Sequence, residues 1–271
     1  MEARGSNKFY STITIAISTV AENLDKLINN FDFLSLDNAD EVAIIVQGEI
    51  DDEQLIGLKK FTIIKDAGIG ISRSRNIALF HANCDYIWFV DDDIVLNSDA
   101  ILKVKKYISR YDADIFTVRM GVIGVDSLYK IYPKKHRLER RDIIGISSVE
   151  IIASTKFVMK SKVKFNEGIG LGTKYPSCEE NIFLLDVFDI GGVFIHIPEI
   201  VQNHPEVNRK HLFLKADVLA AKGVFCRRYG GVRGFLIMLS WFIKSLLYGS
   251  NINSSFCLMS GYSNANNILD K

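Results

Sequence analysis

Short apolar runs separated by helix-spaced segments constrain this chain more than any other feature. Residues 12–18, 41–47, 61–65 and 85–90 are each brief and rich in Ile, Val, Thr or aromatic side chains. Between the first two, Leu24, Leu27, Ile28 and Phe31 recur at helical spacing, and residues 72–82 read as a second helix. Strands that are apolar along their whole length need cover on both faces. Alternating helices supply that cover, so the pattern predicts a mostly parallel α/β sheet. It continues with a helix over 98–111, a strand over 114–120 and an apolar stretch over 149–159. A chain of 271 residues is long enough to bury one large core, and a hydrophobic fraction of 48% with 24% charged residues excludes disorder as its main state.

Several function classes fall away on composition. The formal net charge is +1, so no global field favours nucleic acid, which is not expected as a partner. Cys84, Cys178, Cys226 and Cys257 lie far apart with no CxxC pair, which fits neither a zinc knuckle nor a disulfide scaffold, and free thiols in a reducing cytosol are expected. Residues 1–10 lack the apolar stretch of a secretory leader. No run reaches the roughly 18 to 20 apolar residues that a spanning helix needs. The expected state is soluble, or resting on a membrane without crossing it.

The residues with chemistry begin where the fourth apolar run stops, at Asp91-Asp92-Asp93. Adjacent carboxylates repel one another and resist burial, so such a triplet invites a cation. Strand alternation sends side chains 91 and 93 to one side and 92 to the other. Two carboxylates at the carboxyl end of a parallel strand suit Mg²⁺ or Mn²⁺, with diphosphate oxygens completing the shell. Ligands of open α/β sheets bind at that edge. A solvated acidic turn before the next helix is the competing reading. Upstream, Gly68 and Gly70 permit an open turn, Ser72 or Ser74 is placed to cap a helix, and Arg73 and Arg75 follow near its anion-favouring N-terminus. An ordinary loop-to-helix junction with exposed arginines has the same pattern. A basic loop over 133–141 reads equally as a solvated turn or as a phosphate- or lipid-facing surface.

Taken together, residues 66–76 and 86–93 resemble the core signature of family 2 glycosyltransferases, which have the GT-A fold and use nucleotide-diphosphate sugars. A second block, Phe165 to Gly172 followed by Cys178-Glu179-Glu180-Asn181, resembles the family's acceptor loop and its acidic helix start. The similarity runs from about residue 12 to 205. It implies that Asp91 and Asp93 are the metal-binding DxD pair, with Asp92 close to the donor, Arg75 near the diphosphate and Asp66 near the base. It implies further that Glu180 is the catalytic base, that Glu179 supports the acceptor site, and that His204 completes the metal shell. The chain departs from the family in the turn after the first strand, where Ser18-Thr19-Val20 replaces a proline-containing turn, and at Gln47, where many members place an Asp. Gln47 is suited to hydrogen-bond a uracil edge. The expected donor-binding set is therefore Thr19, Gln47, Asp66, Arg73, Arg75 and Asp92.

Beyond residue 205 the composition turns basic, and residues 234–248 form an aromatic-rich apolar segment too short and interrupted to span a bilayer. An interfacial helix on an anionic membrane fits it, as does a helix packed on the protein itself. The expected organisation is a GT-A α/β domain over 1–205 with a basic, amphipathic helical extension over 206–271. The expected function is inverting hexose transfer from a UDP-sugar to a glycan or lipid-linked acceptor. It would use Mn²⁺ or Mg²⁺, serve O-antigen or capsule synthesis, and sit peripherally on the inner face of the plasma membrane, with an oligomer left open. A nucleotidyltransferase is the enzymatic rival, though residues 12–22 lack the glycines of its nucleotide loop. A non-catalytic, membrane-associated nucleotide-sugar-binding module is the other.

Overall fold

The computed structural model describes residues 11–206 and 209–269. Residues 1–10, read above for a leader, lie outside them. In chain order the regular elements are β1 (Ile13–Val20), α1 (Leu24–Asn30), β2 (Glu41–Gln47), β3 (Thr62–Asp66), α2 (Ile71–His81), β4 (Tyr86–Asp91), β5 (Val95–Leu96) and α3 (Ala100–Ile108). There follow β6 (Ile115–Val122), β7 (Val125–Leu128), β8 (Ile151–Ser154), α4 (Thr155–Ser161), α5 (Glu179–Asp189) and β9 (Phe194–His204). The chain then runs through α6 (Ala216–Tyr229), α7 (Gly231–Leu247), α8 (Ile252–Asn264) and α9 (Asn266–Leu269). It divides into two compact units. One takes residues up to Ile69, Ser74–Val163 and Val187–Glu206, and the other takes Gly70–Arg73, Lys164–Asp186 and Val207–Lys271.

The first unit contains the sheet, ordered β3-β2-β1-β4-β8-β6-β9-β5, with β7 hydrogen-bonded to β6. The four apolar runs pair in parallel as β3-β2-β1-β4. Beyond β4 the sheet is mixed, because β8 inserts antiparallel between β4 and β6 while β6 and β9 run parallel. Two reversals restore direction, so β6 and β9 point the same way as β1 to β4. The main core lies on one face, where Ile13, Ile15, Trp88 and Val90 pack with Leu24 and Leu27 of α1 and Ile101 and Val104 of α3. Those helical residues are the spaced apolar positions of the sequence, now facing inward. Trp88 Nε1 donates to the Val149 carbonyl at 2.8 Å, so the indole in the core keeps its hydrogen bond.

Beside β6 lies a cavity of about 320 Å³, with Thr117, Lys130, Tyr132, Glu150 and His196 among apolar residues in its wall. Its charges are matched internally. The buried Glu150 carboxylate accepts from Tyr132 Oη at 2.8 Å and from Lys130 Nζ at 2.7 Å. The basic loop behind it is partly neutralised: Lys135 pairs with Glu139 and Asp142, Arg140 with Asp189 and Arg141 with Glu139.

His196 is the buried titratable group with the clearest consequence. Arg119 Nε donates to its Nε2 at 3.3 Å, so the ring proton sits on Nδ1, 3.0 Å from Thr117 Oγ1. Burial, reinforced by the cationic Arg119, lowers its pKa to about 4. Unfolding frees the imidazole to take up a proton below its ordinary value of about 6.5. Stability contributed by the neutral ring is thus complete above that pH and falls as pH drops from about 6.5 toward 4. Replacing His196 with Gln is expected to flatten the fall in Tm over that window. Thermal melts of the two proteins from pH 7.5 to 4.5 check this, and parallel curves would remove the assignment.

Candidate active site

Since β1 to β4, β6 and β9 share one direction, their carboxyl ends gather at a single edge of the sheet. Thr19 lies buried near the end of β1, and Gln47, Asp66 and Asp91 close β2, β3 and β4. Gln47 Nε2 donates to Asp66 Oδ2 at 3.0 Å, and Asp66 Oδ1 accepts from the Gly68 amide at 3.2 Å. The two residues expected at the nucleotide base therefore sit side by side.

The three aspartates are held by three different elements. Asp91 Oδ1 lies 3.3 Å from Arg75 Nη2, and Arg75 is only 2% exposed. Asp92 Oδ2 accepts from Thr19 Oγ1 at 2.7 Å and from Asn23 Nδ2 at 3.3 Å. Asp93 Oδ2 stands 3.7 Å from His204 Nε2. The pairing of side chains 91 and 93 drawn from strand alternation is thus divided between Arg75 and His204. Arg75, given a diphosphate by the resemblance, spends part of its guanidinium on Asp91. Ser72 and Ser74 fall inside α2, one residue or more past its start, so neither caps it. Ser74 Oγ instead donates to Ser18 Oγ at 2.8 Å, tying α2 to the end of β1.

Among the described residues no three His, Cys, Asp or Glu side chains gather as a metal cage. Asp93 and His204 still make a coherent donor pair. His204 Nδ1 lies 2.6 Å from the Pro205 carbonyl, which can only accept, so Nδ1 carries a proton and Nε2 is the ring nitrogen nearest Asp93. The ring of Tyr129 lies against the imidazole, centroids 5.0 Å apart, and the Ile123 amide donates to the His204 carbonyl at 3.1 Å. One carboxylate oxygen and one imidazole nitrogen fit Mn²⁺ or Mg²⁺, which commonly take a few protein ligands and fill the rest with phosphate oxygens and water. Asn23 and Tyr129 were not picked out from the sequence, because nothing local marks a residue that reaches a neighbour's carboxylate or ring.

The acidic pair belongs to the second unit. Glu179 is buried and Glu180 half-buried in the first turn of α5, where the helix dipole favours carboxylates. Cys178 enters that helix with a left-handed φ of 72°, a conformation that a non-glycine residue keeps only when its surroundings enforce it. Gly170 has φ of 107°, and a Cβ there would lie 2.7 Å from Ile71 Cγ2, 2.9 Å from Ser72 Oγ and 3.2 Å from Glu179 Cδ. The loop thus closes over the Glu179 carboxyl without a side chain in between. Arg73 Nη1 is 3.8 Å from Glu167 Oε2 in the same unit.

Comparison with known proteins bears on the family and the fold. The family described as Glycosyl transferase family 2 matches residues 12–167. Poly(ribitol-phosphate) beta-N-acetylglucosaminyltransferase TarP of Staphylococcus aureus (strain N315) is 24% identical over 180 residues, which are 66% of this chain and 53% of that protein. The chain therefore spans about half the length of that curated relative. The crystal structure of S. aureus TarS superposes with a TM-score of 0.60 at 14% identity, covering 94% of this chain and 43% of that one. Glucosyl-3-phosphoglycerate synthase from Mycobacterium tuberculosis, in complex with Mn²⁺, UDP and phosphoglyceric acid, superposes at 0.54 with 15% identity, covering 81% of this chain and 79% of that one. These likenesses show the GT-A fold.

Gly170→Ala is expected to cost about 1–3 kcal/mol through backbone strain alone, before the crowding against Ile71 and Glu179 is counted. A Tm lowered by several degrees, against little change for Gly145→Ala, where a Cβ meets nothing within 4 Å, is the expected result of differential scanning fluorimetry. Equal melting of the two variants would contradict the packing described.

Proposed function

The chain belongs to glycosyl transferase family 2, and from that premise we propose that it transfers a hexose from a UDP-sugar to a hydroxyl of a glycan or lipid-linked saccharide, with inversion. The observation that carries the donor half is the one sheet edge where Gln47, Asp66, Asp91, Asp92, Asp93 and His204 collect. Gln47 and Asp66 are assigned to the nucleotide base, and Thr19 with Asp92 to the donor. Arg75 holds Asp91 in place beside the diphosphate, and Arg73 is kept as a further donor contact.

Inverting transfer is a displacement at the anomeric carbon. The acceptor oxygen forms its bond there as the bond to the β-phosphate oxygen breaks, and UDP departs with the electron pair. Glu180 is assigned to take the acceptor's proton, and Glu179 to hold the acceptor. A divalent cation held by Asp93 and His204, with Asp91 as the resembled DxD partner, would neutralise charge on the departing diphosphate. Support for UDP and for the cation comes from the relatives: one S. aureus TarS structure is in complex with UDP-GlcNAc, and the mycobacterial synthase is in complex with Mn²⁺ and UDP. The proposed acceptor is a bacterial surface polysaccharide such as O-antigen or capsule. TarP, whose name specifies poly(ribitol phosphate), adds that polymer class to the acceptors to be tried. The proposed location is the inner face of the plasma membrane, and no helix among the described residues is long and apolar enough to cross it.

Incubation with UDP-GlcNAc, UDP-glucose and UDP-galactose in Mn²⁺ is expected to release UDP, whereas pyrophosphate released from UTP and a sugar 1-phosphate would indicate nucleotidyl transfer. Glu180→Gln is expected to lower turnover by about 10²–10⁴-fold, the usual contribution of a general base, with UDP affinity kept. Loss of UDP binding in that variant would mark Glu180 as structural. Asp93→Ala is expected to abolish both turnover and the Mn²⁺ paramagnetic resonance signal of the bound ion, and full activity in excess EDTA would end the metal assignment.

A further inference from the structure

Helix α7 is built the wrong way round for a helix of a water-soluble domain. Its inward positions are small or polar: Gly234 and Ser245 are buried, together with Met238. A Cβ on Gly234 would strike the Cys226 carbonyl of α6, and Ser245 Oγ is hydrogen-bonded to Ser255 Oγ of α8 at 2.8 Å. The same device joins α6 to α8, where Gly223 approaches the Leu258 carbonyl and Gly261 the Ala220 carbonyl. Close packing through small residues is the way helices associate when large side chains are needed elsewhere.

The large apolar side chains of α7 point outward. Val232 is 75% exposed and Leu247 80%, and between them Phe235, Leu236, Leu239 and Ile243 form one stripe at spacings of three and four residues. On α8, Ile252, Phe256 and Met259 are exposed at the same spacing, and Phe256 packs against Phe242 of α7 with ring centroids 5.5 Å apart. Cations accompany the stripe. Residues 209–269 carry eight lysines and arginines and one acid, Asp217, with Arg228 of α6 taken by Asp186 of α5. Arg233 is exposed beside Val232, while Lys244 and Lys210 rest on the ring of Tyr248 at 5.4 and 5.9 Å from its centroid.

We infer that this face of α7 and α8 seats in the headgroup layer of an anionic membrane, with the stripe from Val232 to Leu247 among the acyl chains and the cations on lipid phosphates. A bilayer satisfies both halves of the surface at once, since it offers apolar volume beneath a negatively charged plane. A second copy of this same face would oppose cations with cations. At 17 residues α7 is about 26 Å long, short of the ~30 Å hydrocarbon core, so it lies in the plane of the surface. The inference deepens the membrane placement proposed above and stands or falls apart from the transfer chemistry.

The test is co-sedimentation of the full chain with phosphatidylcholine vesicles, with and without one quarter phosphatidylglycerol, at 50 and 500 mM NaCl. The measurement is repeated on Leu239→Gln/Ile243→Gln and on Arg233→Glu. Sedimentation equilibrium and UDP-sugar hydrolysis are run on each. The expected result is at least tenfold more binding to the anionic vesicles, weakened by salt, and lost in the double variant, whose Tm and hydrolysis stay near the parent's. Equal binding to both vesicle types, or none to either, overturns the inference. So does a parent oligomer that dissociates in the double variant without any vesicle binding, because a second copy then covers the face. Absent hydrolysis in a parent that binds vesicles would instead count against the transferase reading alone.

Discussion

Three successive negative charges have to be kept apart, and much of the first unit follows from how this is done. Carboxylates on adjacent residues destabilise one another unless each finds its own donors. Asp91 is taken by Arg75 of α2, Asp92 by Thr19 and Asn23 after β1, and Asp93 by His204 at the end of β9. These partners reach the triplet only if β1, β4 and β9 end at the same edge and α2 lies behind them. The mixed half of the sheet has a purpose in this light. Inserting β8 antiparallel between β4 and β6 reverses direction twice and returns β9 to the common edge, which brings the imidazole within reach of the third carboxylate.

The parallel half was legible because burial on both faces leaves a dense local signal. Residues 41–47 coincide with β2, and the run that stops at the aspartates is β4 with Asp91 as its last member. The spaced Leu24 and Leu27 mark α1 for the same reason. Strand β8 was not separable from the helix that follows it, since Ile151 to Ser154 is only four residues long and continues an apolar pattern into α4. Direction of pairing is a long-range property, and four residues carry no trace of it.

The site was legible by kind more than by partner. Gln47 beside Asp66, and the acidic pair at the start of α5, fall where the motifs placed them. What local sequence could not convey is which carboxylate each cation serves. Arg75 reads as an exposed anion-binding arginine beside a glycine turn, yet it is buried and partnered by Asp91, sixteen residues on. The basic loop over 133–141 looked equally available, and Lys135, Arg140 and Arg141 within it are engaged by Glu139, Asp142 and Asp189. Helix α7 showed its apolarity in the sequence. Which side faces outward depended on Gly234 and Ser245 of α7, whose partners in α6 and α8 are not apparent until the helices meet.

The second unit is assembled from three separate stretches of chain, and this imposes an order on its birth. The helix bearing Glu179 and Glu180 is anchored at its far end by Asp186 to Arg228 of α6, and the loop before it by Asn166 to the Ile268 carbonyl of α9. A ribosome delivers the sheet and its aspartates long before it delivers residues 228 and 268. During synthesis the strands can therefore close their edge early, while the glutamate pair waits for α6 and α9, made later, to fix it. A chain ending before residue 216 would inherit the first arrangement without the second, so the hold on the glutamate pair depends on α6 and α9.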